Sequence, residues 1–220
     1  MKTTRFYIQA YFIFLFLLCP ALSGATILIE TGLVGGSGDV ENILFNDPGM
    51  GTVAGPAFTV TGITNQTDLL VDFTSNEDLI TPSGGQARIE ATDGTFTNLD
   101  FYLQDVTLGF GKVQFNIDAA ANGDITLAFT DQFDTVFQQV FSLNGSGQNF
   151  FTAYSNDNQV IVLASIVSTV DMTALNDLQQ VRIGPTDLSG TPVPEPATIL
   201  LLGSGLVGFV GIGRKIFFQK

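Results

Sequence analysis

Residues 26–187 predict an all-β fold, an antiparallel two-sheet β-sandwich of the jelly-roll type. Three observations carry this prediction. Apolar and polar residues alternate with a period of two in several stretches, which is the pattern of strands with one face in a core. Turn-forming residues recur between these stretches and divide the domain into about ten to twelve strands. An uncharged apolar stretch near each end of the chain predicts an N-terminal signal helix and a C-terminal transmembrane helix.

Four stretches show the alternation most clearly. Each places bulky apolar side chains on one face and polar side chains on the other, as in an antiparallel sheet with one dry face. The apolar members are Leu69, Val71 and Phe73; Leu99, Phe101 and Leu103; Val113, Phe115 and Ile117; and Ile125, Leu127 and Phe129. Two more continuously apolar stretches, residues 26–33 and 160–170, predict strands that are buried on both faces.

The connections between the strands are rich in turn residues. Asp93-Gly94 and Asn122-Gly123 are the sharpest hairpin signals, because Asp-Gly and Asn-Gly fit the tight two-residue turns of β-hairpins. Residues 171–178 compete with this pattern as a short helix of one or two turns. Residues 188–196 contain three prolines and predict a linker that follows the domain.

The N-terminal residues 1–25 predict a secretory signal peptide. Lys2 and Arg5 precede an apolar run at residues 8–18, and small residues follow it. The run is shorter than the roughly 20 residues that span a bilayer. Two alternatives remain open, an uncleaved N-terminal anchor and lipidation of Cys19.

The C-terminal residues 197–220 predict a transmembrane helix with a basic cytoplasmic tail. The segment from 197 to 213 has no charged residue and is rich in glycine, which is commoner in membrane helices than in soluble ones. Basic residues follow it directly, and basic flanks stay on the cytoplasmic side. A plain C-terminal anchor behind a proline-rich stalk is the simpler alternative.

The order of features in this tail closely resembles the PEP-CTERM sorting signal. A short proline-rich motif is followed by a glycine-rich apolar helix and then by a basic pair. The residues that carry the resemblance are Val193, Pro194, Glu195, Pro196, Arg214 and Lys215. The later part of the domain, residues 144–151 and 177–184, also resembles the jelly-roll, lectin-like domains often found ahead of this tail.

The sorting-signal resemblance implies a route for the protein. It implies export across the inner membrane of a Gram-negative bacterium that makes extracellular polysaccharide. The tail would be held transiently in that membrane, recognised at the proline-rich motif and cut near it by an exosortase. The mature protein is then expected at the cell surface or outside the cell, without an assigned activity.

The composition excludes several classes of chemistry. The chain has no His and one Cys, so it cannot form a Ser-His-Asp triad, a His-ligated metal site or a Cys-based zinc site. Residues 26–192 hold 20 acidic and 3 basic residues, a net charge of −17. Such a domain repels the nucleic-acid backbone, so nucleic acid is not an expected partner.

Carboxylates and a few aromatic residues are the remaining candidates for binding. Calcium is the one cofactor that the acidic loops suggest, because hard cations take several oxygen ligands. Its candidate ligands are Asp124, Asp131 and Asp134. A sugar-contact surface is the second candidate, because glycan sites combine aromatic and polar side chains. Its candidate residues are Tyr102, Tyr154, Asn156 and Asp157.

The function expected from these observations is a non-catalytic surface or extracellular-matrix protein that associates with polysaccharide. A carboxylate-based glycan hydrolase or lyase is the alternative, and a calcium-dependent adhesin is a third. The carboxylate pairs that a hydrolase could use are Asp68 with Asp72, Glu77 with Asp78, and Asp131 with Asp134. A domain with so many acidic residues contains such pairs by chance. We therefore expect that the protein is not an enzyme.

Overall fold

The computed structural model describes residues 26–35, 39–45, 47–82, 88–156, 159–173 and 178–188, without the side chains of residues 173 and 178–180. The predicted signal peptide, the sorting motif and the predicted transmembrane helix all lie outside these residues. In the described part of the chain, no helix is long and apolar enough to cross a membrane.

Twelve strands and a 3₁₀ turn make up the described domain. In chain order the strands are β1 (Ile27–Thr31), β2 (Glu41–Leu44), β3 (Ala57–Thr64), β4 (Leu70–Ile80), β5 (Arg88–Ala91), β6 (Thr95–Leu103), β7 (Leu108–Ile117), β8 (Gly123–Asp131), β9 (Val136–Leu143), β10 (Asn149–Ser155), β11 (Ile161–Thr173) and β12 (Leu178–Asp187). The 3₁₀ turn, Pro48–Met50, lies between β2 and β3. The prediction of an all-β domain is confirmed.

The strands form one hydrogen-bonded sheet in the order β1-β10-β7-β12-β2-β3-β4-β6-β11-β8-β9, and β5 pairs with β12 and β4. Every pairing between described strands is antiparallel. A further pairing of β11 with β7, at Ile161 and Phe110, closes seven of the strands into a barrel. The predicted division into two separate sheets is therefore not clearly supported.

The closure has a local cause in two long strands. β11 lies between β6 and β8 along most of its length, and at its start Ile161 stands opposite both Phe110 of β7 and Asp131 of β8. The register between β11 and β8 shifts just after Ile161, and a bulge of this kind bends a strand. A bent strand can therefore reach β7 at one end while it follows β8 along the rest of its length.

The core lies on the inward face of these strands and is rich in phenylalanine. All twelve alternating apolar residues predicted as core are buried, except Leu69, which is partly buried. The Phe101 ring stacks on Phe73 at 5.3 Å between centroids and also contacts Phe110 at 5.9 Å and Phe115 at 6.2 Å. Each such buried side chain stabilises the fold by roughly 1.5–3 kcal/mol.

Two local predictions were wrong. The β-turn at Asp93-Gly94 forms, but β5 and β6 pair with other strands, and Asn122-Gly123 joins β7 to β8, which are not neighbours either. The tight connections instead contain Asp68 between β3 and β4 and Asp134 between β8 and β9, with φ of 56° and 61°. Asp tolerates this left-handed conformation without a glycine.

The predicted short helix at residues 171–178 is also wrong at its two ends, while residues 174–177 lie outside the described residues. Asp171, Met172 and Thr173 belong to β11, and Leu178 begins β12. The pairing of Met172 with Phe96 in β6 and its bridge to Ala119 keep this segment extended.

Candidate functional site

A pocket of about 510 Å³ opens beside β7, β10 and β12, where the chain that follows β1 crosses the sheet. Lys112 of β7 lies at its centre, because it stands opposite Tyr154 of β10 on one side and Gly184 of β12 on the other. Side chains opposite one another in an antiparallel sheet share a face. The wall is completed by Val34, Gly35, Asp39, Gly111, Ser155, Pro185 and Thr186.

Two glycines make room for this pocket. Gly35 has a φ of +77°, and a Cβ there would stand 2.6 Å from the ammonium nitrogen of Lys112. A Cβ at Gly184 would collide with the carbonyl oxygen of Asp39. A side chain at either position would therefore disturb the pocket wall.

The phenol of Tyr154 is held by a carboxylate. Its hydroxyl donates a hydrogen bond of 2.7 Å to Oε1 of Glu30 on the neighbouring strand β1. This bond, together with desolvation and the negative charge of Glu30, raises the pKa of Tyr154 above its ordinary value. The hydroxyl is thus engaged within the protein, while the residue still lines the pocket.

Buried polar groups fix the chain that forms one wall of the pocket. Thr152 is fully buried, donates to the carbonyl oxygen of Gly32 at 2.7 Å and accepts from the Val34 N–H at 3.0 Å. The Gln114 amide donates to the carbonyl oxygen of Val34 at 3.0 Å. Residues 32–34 are therefore bound to the outer face of β10 and β7.

Asn116 lies on the same face of β7 and is an exception. It is fully buried, and neither atom of its amide has a hydrogen-bond partner in the described part of the chain. Burial raises the pKa of the neighbouring Asp118. The outer face of β7 thus combines well-bonded and unbonded polar groups.

The three aspartates predicted to bind calcium are not brought together. Asp124 and Asp131 lie at opposite ends of β8, about 23 Å apart at roughly 3.3 Å per residue. Asp124 and Asp134 are exposed, while Asp131 is buried. Among the described residues, no three acidic side chains form a group that could hold a metal ion.

Asp131 instead anchors the turn between β8 and β9. Its Oδ1 accepts the N–H groups of Phe133 and Thr135, each at 2.8 Å, and its Oδ2 accepts the amide of Gln159 at 2.9 Å. These bonds occupy both carboxylate oxygens with donors from the protein. The arrangement suits an Asp that stabilises a turn.

The residues predicted to contact sugar are only partly assembled. Tyr154 lines the pocket, but Tyr102 lies on β6 opposite Asp72, and β6 does not pair with β10. Asn156 is exposed in the turn after β10, where its N–H donates to the carbonyl oxygen of Thr26. Asp157 lies outside the described residues.

The carboxylate pairs considered for a hydrolase are separated from the pocket. Asp39 is the carboxylate in the described pocket wall, and no member of the three pairs lines it. Asp72 accepts hydrogen bonds from Thr61 and Gln104 at 2.7 and 2.8 Å. The pKa of Glu77 is raised, first by desolvation and then by the charges of Asp93 and Asp171.

Sequence reasoning missed Lys112 and Asp39 as pocket residues. Lys112 could have been singled out, because it is one of three basic residues in the domain and lies on the polar face of the β7 alternation. Asp39 carried no such signal, because its position depends on the path of the chain between β1 and β2.

Comparison with known families finds a match in the C-terminal tail. Residues 192–215 match the family model of the PEP-CTERM protein-sorting motif, which confirms the resemblance noted in the tail. The match includes all six residues named for the signal, and these lie outside the described residues. No curated protein and no solved structure matches this chain.

Proposed function

We propose that this chain, which carries the PEP-CTERM protein-sorting motif, is an exported exosortase substrate with a non-catalytic, glycan-associated β-domain. The motif at residues 192–215 is the observation that carries the proposal. It supports export and membrane-associated processing. The β-domain would then reach the cell surface or the extracellular polysaccharide of a Gram-negative host.

In this proposal each end of the chain has a separate role. Residues 1–25 direct export and are removed. Residues 197–220 hold the chain in the inner membrane, with Arg214 and Lys215 on the cytoplasmic side. The exosortase recognises Pro194, Glu195 and Pro196 and cuts near them, so the mature protein loses the apolar tail.

Processing can be tested by the intact mass of the protein recovered from outside the cell. We expect a mass that lacks both ends in cells with the exosortase, and accumulation of a membrane-bound form in cells without it. Replacing Glu195 by Ala should produce the same accumulation, while Asp187→Asn, which removes a charge just ahead of the linker, should be processed normally. A secreted species that retains Phe217 and Phe218 would contradict the proposal.

The pocket is the part of the β-domain that we assign to glycan. It combines the ammonium of Lys112, the aromatic residue Tyr154 and the hydroxyl residues Ser155 and Thr186 in an open depression. An aromatic residue beside polar groups suits a sugar ring, and a cation in so acidic a domain suits a sugar that carries a carboxylate. Glycoside hydrolases use a pair of carboxyl groups. The described wall of the pocket contributes one, that of Asp39.

The pocket assignment can be tested with the host's own extracellular polysaccharide. Replacing Tyr154 by Ala should weaken binding about tenfold, which corresponds to roughly 1.4 kcal/mol. Tyr102→Ala is the matched control, because it removes a tyrosine away from the pocket, and it should bind like the original chain. Equal losses in both variants would contradict the assignment, and shortening of the polysaccharide would favour the hydrolase or lyase alternative.

A further inference from the structure

Strand β9 is one end of the sheet and has an open edge. It pairs with β8 along all eight residues, Val136 to Leu143, without a bulge. Among the described strands, no other one pairs with it. One row of its backbone N–H and C=O groups therefore has no partner strand in the described domain.

The backbone N–H and C=O groups on the open edge of β9 belong to alternate residues. The N–H of Asp131 donates to the carbonyl oxygen of Thr135, so Thr135 directs its backbone groups toward β8. In an antiparallel ladder the bonded residues alternate with unbonded ones. The groups that face outward therefore belong to Val136, Gln138, Val140 and Ser142.

Strand β9 also lacks the features that protect natural edge strands. Its sequence, VFQQVFSL, contains no charge, proline or glycine. Edge strands usually avoid association through charged residues, proline, bulges or short length. The opposite end of the sheet, β1, has five residues and carries Glu30. On β9 the side chains of Val136 and Val140 are 56% and 60% exposed.

We propose that β9 pairs with β9 of a second copy of this chain, antiparallel and across a twofold axis at Gln139. In this register Gln138 lies opposite Val140 of the other copy, so the outward-facing backbone groups of both strands meet. Phe137 lies opposite Phe141 of the other copy on the core side, where both are already partly buried. The strand is thus complementary to itself in hydrogen bonding and in side chains.

Charge supports a second copy as the occupant. Two domains of net charge −17 repel one another over most of their surface. Strand β9 has no acidic residue, and the outward positions Thr126, Ala128 and Thr130 of β8 beside it are uncharged; the acidic residue of that row, Asp124, lies at its end and accepts a hydrogen bond from Ser142. Two copies can therefore meet here without placing like charges opposite one another.

The register is tested by cysteine cross-linking of the full chain with Cys19 replaced by Ser. Gln139→Cys places two cysteines opposite one another at the axis, within the Cα separation that a disulfide needs. We expect a covalent dimer on mild oxidation. Gln138→Cys is the matched control, because its thiol faces Val140 of the other copy, and it should form no covalent dimer. Equal cross-linking of both variants, or of neither, would overturn the proposed pairing.

Association itself is tested by sedimentation of the chain without added cysteine. We expect a concentration-dependent dimer. The Val140→Lys variant should raise the dissociation constant of this dimer at least tenfold. Thr126→Lys adds the same charge on the adjacent position of β8, away from the edge, and should remain dimeric. Circular dichroism checks that both variants fold. A monomer at 100 μM, or loss of association in both variants, would refute the proposal, as would open-ended polymers.

Discussion

The outer faces of two parts of the sheet differ in how far their side chains are exposed to solvent. Over β10 and β7, which we name the covered face, Thr152 and Gln114 are buried at 0% and 2% exposure beneath residues 32–34. Over β11, β8 and β9, which we name the bare face, Val167 and Val140 are 53% and 60% exposed. Thr126 stands between these two valines in the register.

This difference does not arise from the alternation, since the strands of both faces alternate in the same way. It arises at Gly32, whose φ of +93° turns the chain after β1 back across the sheet. The returning chain must have its backbone groups bonded, and the polar side chains of the covered face provide the bonds. The bare face receives no such covering from the described residues and keeps apolar side chains in contact with solvent.

The largest expected effect concerns the turn that holds the bare face at one end of β8. Replacing Asp131 by Ala leaves the N–H groups of Phe133 and Thr135 and the buried Gln159 amide without their acceptor. We expect a loss of about 3 kcal/mol in the free energy of unfolding. Asp124→Ala, at the exposed end of the same strand, should change it by less than about 0.5 kcal/mol. Urea denaturation measures both values.

A calcium role for these aspartates predicts a different result. If Asp131 bound the ion, added calcium would raise the melting temperature of the original chain and chelator would lower it. We expect no response to either, because the protein's own donors already occupy both oxygens of Asp131. A calcium-dependent melting temperature that disappears in Asp131→Ala would contradict the turn-anchor interpretation.

The next effect compares the two faces with one chemical change. Thr152→Val keeps the shape of the side chain but leaves the Gly32 carbonyl oxygen and the Val34 N–H without their partner. We expect a loss of about 2 kcal/mol in the free energy of unfolding. Thr126→Val on the bare face should stay within about 0.5 kcal/mol of the original chain. Equal losses would show that the covering chain contributes nothing to this difference.

A smaller effect of opposite sign is expected at Asn116 on the covered face. Its amide is buried without a partner in the described part of the chain, so Asn116→Leu should raise the free energy of unfolding by about 1 kcal/mol. Asn98→Leu is the control, because the Asn98 amide oxygen accepts bonds from Ser75 and Asn76 and its loss should destabilise. A destabilised Asn116→Leu would indicate a bound partner for this amide.

The sequence predicted the inward faces well because period-two alternation directly reports which side chains enter a core. Phe101, Phe115 and Phe129 were all identified in this way, and each is fully buried. The closure at Ile161 and Phe110 was not predictable, because one bulge and one pairing between distant residues decide it. Pairing partners depend on tertiary contacts, which local turn signals such as Asn122-Gly123 do not report.

The candidate site was predictable to a smaller extent for the same reason. Tyr154 was found because exposed aromatic residues beside polar loops are scarce in this chain. Its partners Lys112 and Glu30 come from strands more than 40 residues away. The pocket wall at Gly35 and Asp39 depends on the returning chain. Burial of Gln114 and Asn116 likewise could not be read from an alternation that marks them only as polar and outward-facing.

The smallest effect concerns the hydrogen bond between Tyr154 and Glu30 at the pocket. The bond raises the pKa of Tyr154, so this contribution to stability is fully present below the unfolded-state pKa of about 10 and is lost as the pH rises through the folded-state value. A chain with Tyr7, Tyr11 and Tyr102 replaced by Phe reports Tyr154 alone through phenolate absorbance. Glu30→Gln should lower the titration midpoint toward about 10. Asp39→Asn, which removes a pocket carboxylate that does not bond the hydroxyl, should lower it much less. Equal shifts in the two variants would assign the raised pKa of Tyr154 to the general negative charge of the pocket and not to its hydrogen bond with Glu30.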